Sequence, residues 1–403
     1  DRLEALARAA DAPFISASVR DGNFFLASTK DVFELSGVLK EGRVLEGIRL
    51  LVGEVERARA NGITPEELRR GKAEMLSFAE NGYNDRTNRR NGEFVEACVQ
   101  NFLEETPILE PEYELGLVRK LDKSVTLADI NALAKDIITN QNQVVTLFGP
   151  AKEGFEMPAN ATIEKNILEA QTRKYAPYNE AKALGDSLVT NLPKPGSILS
   201  ERSYKYGYTE LTLSNGMKVY VRQTDFEPDE VNLKLFSMGG KNLYPDADMP
   251  NLTYLMAGAT IGGVGQYDDL ALEKMLAGKT ATVAPYIDDD TEGMTGTSNV
   301  KDTETLLELV YLYFTQPRKD PQAFKSLMEQ QEAFLTNAHV NPMLAYNDTL
   351  HKVAYGTDRL ASMDKERLKK VSYDRIMQIY KERFASASDF KLILTGNINL
   401  DKL

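Results

Sequence analysis

Two histidines and one cysteine are the best soft metal ligands that this chain of 403 residues offers. His339 and His351 stand twelve positions apart, and Cys98 is remote from both along the chain. A catalytic zinc commonly takes three protein ligands and a water, and a structural zinc takes four from Cys and His. One cysteine excludes any multi-cysteine zinc site and any internal disulfide, and two histidines exclude a three-histidine site. His351 could share a ligand role with Asp348 in Asn347-Asp348-Thr349-Leu350-His351. A histidine on a helix surface explains the spacing equally simply and is the expectation. His339 comes just before Asn341-Pro342, a turn signal, and is expected to close a helix.

Three further groups invite chemistry. Asp288-Asp289-Asp290 could hold calcium, but it lacks the alternating acidic spacing and the glycine of a calcium loop, so a solvated turn is expected. Gly262-Gly263-Val264-Gly265 has the glycines of a phosphate loop without the following Gly-Lys, and reads as a helix end with a turn. Arg86, Arg89 and Arg90 form a basic cluster placed within a long helical region from Glu66 to Glu105. They could meet an acidic peptide, but the simpler expectation is a solvated face paired with carboxylates such as Asp85 and Glu93. Cys98 falls at helical spacing with Phe94, Val95 and Phe102 and is expected in a core.

Composition narrows the class. Hydrophobic residues are 42% and charged residues 27%, which excludes wholesale disorder. The 48 basic and 60 acidic residues give a net charge of −12, and no dense basic stripe suggests nucleic acid. No apolar run approaches the roughly 18 residues of a membrane helix. The length predicts more than one domain. The start at Asp1, without a methionine or signal segment, suggests a piece of a longer protein.

The elements that would position these residues occur twice. Val125-Thr126-Leu127-Ala128-Asp129-Ile130 and Val371-Ser372-Tyr373-Asp374-Arg375-Ile376 each open an amphipathic helix on a Thr or Ser cap, about 246 residues apart. A strand is expected after each copy, at Val144–Phe148 and at Leu392–Thr395. Upstream, Thr64-Pro65 and Asp320-Pro321 both read as helix starts. Helices are expected before them at Val44–Ala60 and Glu304–Phe314. Before those come paired strands, Phe14–Val19 with Asn23–Ala27, and Thr280–Tyr286 with Glu292–Thr297.

The second copy has extra strands in front, Tyr208–Leu213, Met217–Arg222 and Val231–Met238, with Asn215-Gly216 as a type I′ hairpin turn and a helix from about Met249. The expected fold class is therefore α+β. It comprises two tandem modules of mostly antiparallel sheet backed by helices: residues 1–150, lacking the front strands, and residues 204–403. Residues 151–203 hold Pro158, Pro177, Pro193 and Pro195 and no clean periodicity, so a connector is expected there, with a stiff strut at Leu192–Gly196.

In this order the segments resemble the insulinase class of zinc peptidases, especially mitochondrial-processing-peptidase-like and long-form bacterial members. The likeness rests on Asp11-Ala12-Pro13-Phe14, Ala79-Glu80-Asn81-Gly82-Tyr83-Asn84, Leu211-Thr212-Leu213-Ser214-Asn215-Gly216 and Leu312-Tyr313-Phe314-Thr315-Gln316-Pro317. The resemblance implies four modules in the parent, with an H-x-x-E-H zinc helix and a later Glu ligand in the first. It implies peptide or unfolded-protein substrates held in a chamber, and a periplasmic or envelope location. This chain contains no H-x-x-E-H. The counterpart of the zinc helix in its second copy, Asn251-Leu252-Thr253-Tyr254-Leu255-Met256-Ala257-Gly258-Ala259, has no His, Asp or Glu. The expectation is a non-catalytic second and third module: no catalytic residue, no metal ligand and no cofactor within the chain, and zinc only in the parent. A degenerate scaffold or binding subunit beside an active peptidase is the alternative.

Overall fold

A computed structural model describes every residue except 10, 25–26, 150–153, 181–186, 339–341, 358 and 401–403. The chain forms two compact units, Asp1–Arg70 with Lys123–Lys182, and Gly71–Asp122 with Ala183–Leu403.

The first unit opens with helix α1 (Arg2–Ala7) and an antiparallel ribbon of β1 (Phe14–Phe24) and β2 (Ala27–Leu39). The strands are longer than the expected Phe14–Val19 and Asn23–Ala27 pair. Asn23 belongs to the first strand, and Gly22 continues that strand opposite Val32. The unread partner was Asp31–Leu39, where Val32, Phe33, Leu35 and Val38 favour a strand. Phe14 is fully buried at the start of the ribbon.

Helix α2 (Val44–Asn61) follows, close to its expected span, with Ile48 and Leu51 buried. Next in the chain come α3 (Pro65–Asn84), α4 (Asn91–Glu104) and α5 (Pro111–Ser124), which from Gly71 to Asp122 belong to the second unit, and then α6 (Leu127–Ile137) of the first. The helical region expected from Glu66 to Glu105 is broken between α3 and α4. Asn84, Asp85 and Asn88 are turn formers, and the Asn88 N–H donates to the Asp85 carbonyl at 2.9 Å. Thr126 caps α6 as expected: its hydroxyl accepts from the Asp129 N–H, and the Asp129 carboxylate accepts from the Thr126 N–H at 2.8 Å. Gly62 ends α2 at φ +79°, where a Cβ would lie 2.3 Å from the Asn131 side chain. That side chain is fixed there because its Oδ1 accepts from the Ile63 N–H at 2.8 Å.

Two expectations for this unit fail. Val144–Phe148 forms no strand, and Val144 and Phe148 are 88% and 90% exposed. A strand requires a partner for its backbone groups. The matching segment of the second copy has two, described below, and the first unit has no counterpart of either among the described residues. The connector, in turn, is not free of regular structure. It contains helix α7 (Asn160–Thr172), which packs on α2 and buries Ile163, Asn166 and Ala170.

The second unit is built on a seven-stranded sheet. Its strands are β3 (Ile198–Ser203), β4 (Thr209–Leu213), β5 (Lys218–Gln223), β6 (Val231–Met238), β7 (Thr282–Ile287), β8 (Thr291–Ser298) and β9 (Lys391–Gly396). Their order is β3-β4-β5-β9-β6-β8-β7. All neighbours are antiparallel except β5 and β9. The turn between β4 and β5 is not type I′. The Gly216 N–H donates to the Leu213 carbonyl, and Gly216 alone takes positive φ, +90°, while Asn215 does not. This is the three-residue loop with a bulge glycine, the alternative for a short hairpin.

Helices α8 (Met249–Thr253), α9 (Leu255–Thr260), α10 (Asp269–Leu276), α11 (Thr303–Thr315), α12 (Pro321–Ala338), α13 (Pro342–Tyr355), α14 (Lys365–Leu368) and α15 (Tyr373–Arg383) complete the unit. One continuous core includes Val219, Val221, Leu233, Leu235, Leu392 and Leu394 from alternate strand positions, with Leu255, Leu306, Leu309, Leu312, Ile376 and Tyr380 from helices. Ser372 caps α15 as expected, accepting from the Arg375 N–H. The end of the connector is held rather than free. Leu188 and Val189 are buried in this core, and the Tyr267 hydroxyl donates to the Ser187 carbonyl at 2.8 Å.

Candidate functional site

Helices α8 and α9 occupy the place where the resemblance would put a zinc helix, and they are built as core. Pro250 sits in the first turn, the helix breaks at Tyr254, and Met249, Leu252, Leu255 and Ala259 are buried. Gly258 lies against Ile376 and Phe324, where a Cβ would stand 3.0 to 3.2 Å from their side chains. Asn251 is the only side chain in α8 with a carbonyl oxygen, and that oxygen already accepts from the Ser372 N–H at 2.8 Å. These residues do not fit a zinc ion: the ring nitrogens, carboxylates and thiolates that bind it are missing. Among the described residues, no group of three or more His, Cys, Asp or Glu is placed to hold a metal.

The other sequence candidates fall apart in space or are already occupied. His351 lies on α13 beside Tyr355, with ring centroids 6.1 Å apart. Asp348 accepts from the Ser362 N–H at 2.8 Å. His339 lies outside the described residues.

The Gly262–Gly265 turn has spent its donors. The N–H groups of Gly263, Val264 and Gly265 go to the carbonyls of Thr260, Tyr267 and Gln316. It therefore cannot cradle a phosphate. The carbonyls of Asp288, Asp289 and Asp290 accept from the N–H groups of Lys241, Asn242 and Gly239, so this turn anchors a neighbouring loop.

Arg86, Arg89 and Arg90 lie in the break before α4, not within a helix. Arg86 lies over the Tyr83 ring at 3.9 Å and pairs with Glu112 at 3.4 Å; Arg89 pairs with Glu93 at 3.3 Å. Hydrogen bonding from the Arg90 N–H holds the Glu93 carboxyl below its ordinary pKa. Asp85 is different. Burial, and then the charges of Asp229, Glu227 and Glu230, raise its pKa. Cys98 is exposed, not in a core, on an α4 face that also exposes Phe94, Val95, Val99 and Phe102.

Sequence reasoning passed over the solvent side of the large sheet. Because strand side chains alternate, burying Val219, Val221, Leu233, Leu235, Leu392 and Leu394 sends Lys218, Arg222, Lys234 and Lys391 to the opposite face. The signal was present in the alternation of β5, β6 and β9, but the charges come together only through pairing across the chain. Lys218 stands directly beside Lys391, and Lys234 beside Ile393 and Thr295.

Comparison with known proteins gives a consistent answer. No family model matches the chain. A zinc protease PQQL-like protein of Arabidopsis thaliana is 26% identical over 354 residues, covering 86% of this chain and 34% of the relative. The probable zinc protease PqqL of Escherichia coli K12 is 21% identical over 369 residues, covering 90% of this chain and 39% of the relative. The chain thus spans about a third of the length of the curated relatives it matches.

Two solved structures share the fold over the whole chain and 44% of their own length. They are the periplasmic protease PqqL from Escherichia coli, with TM-score 0.52 and 18% identity, and a mutant of the ferredoxin protease FusC in complex with Arabidopsis ferredoxin, with TM-score 0.57 and 15% identity. The resemblance to insulinase-class zinc peptidases, and to a portion of a longer member, is therefore sound.

Proposed function

We propose that this chain is a non-catalytic middle portion of a larger zinc metalloendopeptidase, acting on peptides or unfolded protein segments enclosed by the parent. Residues 1–150 and 204–403 would each contribute one module to the enclosing wall, and 151–203 would act as the hinge between halves. The observation that carries this is the likeness to zinc proteases along most of the chain, combined with the absence of H-x-x-E-H from the sequence. The zinc, its ligands and the general base would come from elsewhere in the parent, and a periplasmic or envelope location would follow the PqqL neighbour. The paired capped helices α6 and α15 support duplication of a module; the missing strand at Val144–Phe148 supports a first module that lacks its front strands.

The test compares this chain with its full-length parent. The parent is expected to retain one zinc per molecule after dialysis and to cleave a quenched fluorogenic peptide. The chain alone is expected to do neither. A tightly held zinc in the isolated chain would sink the non-catalytic reading, and a parent with no zinc and no cleavage would leave the scaffold reading. For the hinge, a reversible crosslink locking the parent's halves shut should abolish turnover, since such an enzyme must open to admit substrate. Unchanged turnover would make 151–203 a passive spacer.

A further inference from the structure

The solvent face of the seven-stranded sheet carries a charge opposite to that of the chain. Arg202, Lys218, Arg222, Lys234 and Lys391 lie on it, against one strand carboxylate, Glu210, in a protein whose net charge is −12. Glu210 is already taken, by Arg202 at 2.7 Å and Lys218 at 3.9 Å. Arg222, Lys234 and Lys391 have no carboxylate partner among the described residues.

Two features bear on what this face could receive. First, Lys218 and Lys391 are direct neighbours on adjacent strands, an arrangement of like charges that costs stability. Lys218 is offset by Glu210, but Lys391 has no carboxylate partner among the described residues to offset the repulsion. Second, a shallow groove of about 370 Å³ runs across β6, β7, β8 and β9, with Lys234, Asn232, Thr282, Thr295, Thr297 and Thr395 among its lining. Its floor is made of short side chains, so an extended backbone can approach closely. The Asn232 amide already donates to Glu230, and Thr282 and Thr297 bond each other at 3.1 Å, so the hydroxyls of Thr295 and Thr395 are the groups placed to meet peptide N–H and C=O.

We infer that this face binds an extended acidic polypeptide segment, whose carboxylates reach Lys234, Lys391 and Arg222 while its backbone lies over the threonine-lined groove. The face suits a peptide better than a nucleic acid. Three cations without carboxylate partners, two of them over the rings of Tyr208 and Phe236, match a few carboxylates spaced along a strand, whereas a dense polyanion would meet the acidic remainder of the chain. In the peptidase proposed above, the segment would be substrate held away from the zinc. The binding itself does not depend on that assignment, and it stands or falls without any cleavage assay.

The experiment uses the 403-residue chain and fluorescence anisotropy of a labelled peptide of alternating glutamate and threonine. A lysine–threonine peptide and single-stranded oligothymidylate serve as competing probes. The acidic peptide is expected to bind, more weakly as salt rises, and to lose about tenfold in affinity with either Lys234→Glu or Lys391→Glu, the effect of one charge pair. Lys194→Glu, in the connector, should change nothing. Lys391→Gln should weaken binding while leaving the urea midpoint undiminished, because it removes a like-charge contact; this also guards against a misfolded reversal variant. Equal binding of the acidic and basic peptides, insensitivity to both reversals, or tighter binding of the oligonucleotide would overturn the inference.

Discussion

Arg383 on α15 places a guanidinium nitrogen 2.7 Å from Oε1 of Glu292, a carboxylate on β8 with no solvent exposure. The other carboxylate oxygen accepts from the Gly240 N–H at 2.5 Å, so one buried acid ties a helix, a strand and a loop together. Removing the cation would leave a buried charge unpaired. Arg383→Ala is expected to lower stability by about 2 kcal/mol, moderated because Arg383 is partly solvated. The urea midpoint of the variant measures this; an unshifted midpoint would show that the pair is dispensable.

Acid should weaken the second unit through Asp248. Its carboxylate takes two hydrogen bonds from Arg375, at 2.6 and 3.1 Å, and this bonding lowers its pKa from 3.8. A group with a depressed folded pKa contributes stability that is present above its unfolded pKa and is lost as pH falls through the folded one. The contribution is therefore complete above about pH 4 to 5 and declines progressively as pH falls from there through the depressed folded pKa. Asp248→Asn should flatten this part of the profile, seen as a smaller fall in urea midpoint between pH 6 and pH 3. An equally steep profile in the variant would assign the acid sensitivity elsewhere.

Gly62→Ala should destabilise the first unit. The added Cβ meets the Asn131 side chain at 2.3 Å, and the backbone at φ +79°, ψ −171° is essentially confined to glycine, which adds strain of roughly 1–3 kcal/mol. Asn131→Ala makes room but gives up its bond to Ile63, so the double variant should recover only part of the loss. Thermal unfolding of the four proteins in this cycle checks it, and a fully additive cycle would mean the two residues do not interact.

Phe102 on α4 is 85% exposed. Phe102→Ser should therefore leave the unfolding midpoint within about 0.5 kcal/mol while reducing self-association, since exposed apolar patches promote it. Light scattering across a concentration series provides the readout. A large loss of stability would show that Phe102 is packed in solution.

Hydrogen exchange should separate the two segments that the sequence pairs as strands, 144–148 and 392–395. Amides of Leu392 and Leu394 lie within β9, flanked on both sides, and should exchange through global unfolding. Those of Val145 and Leu147 should exchange orders of magnitude faster. Equal protection would place 144–148 in a sheet.

Local chemistry explains what could be read from the sequence. The caps at Thr126 and Ser372, the prolines at 65 and 321 and the alternation in β6 and β9 all act over a few residues, and their elements appear where expected. The failures involve distant partners. Val144–Phe148 has the composition of a strand but no neighbours to pair with. Cys98 has core spacing but nothing in the described chain covering its helix face. Helix α7 was hidden because its apolar stripe is thin, with a polar Asn166 buried at its centre. The basic sheet face was invisible for a related reason, since it is assembled by pairing residues near 220 with residues near 391.

The position of β9 also bears on how the protein is made. This strand comes last in chain order, yet it alone joins β3, β4 and β5 to β6, β8 and β7. During synthesis both halves of the sheet emerge with an open edge and wait for residues 391–396 to clear the ribosome. Such exposed edges invite pairing with other nascent chains, and the late, long-range closure makes folding slow. A growing chain in this state is a natural client for a chaperone that masks strand edges, and a ribosome stalled before residue 391 would release a product unable to finish its core.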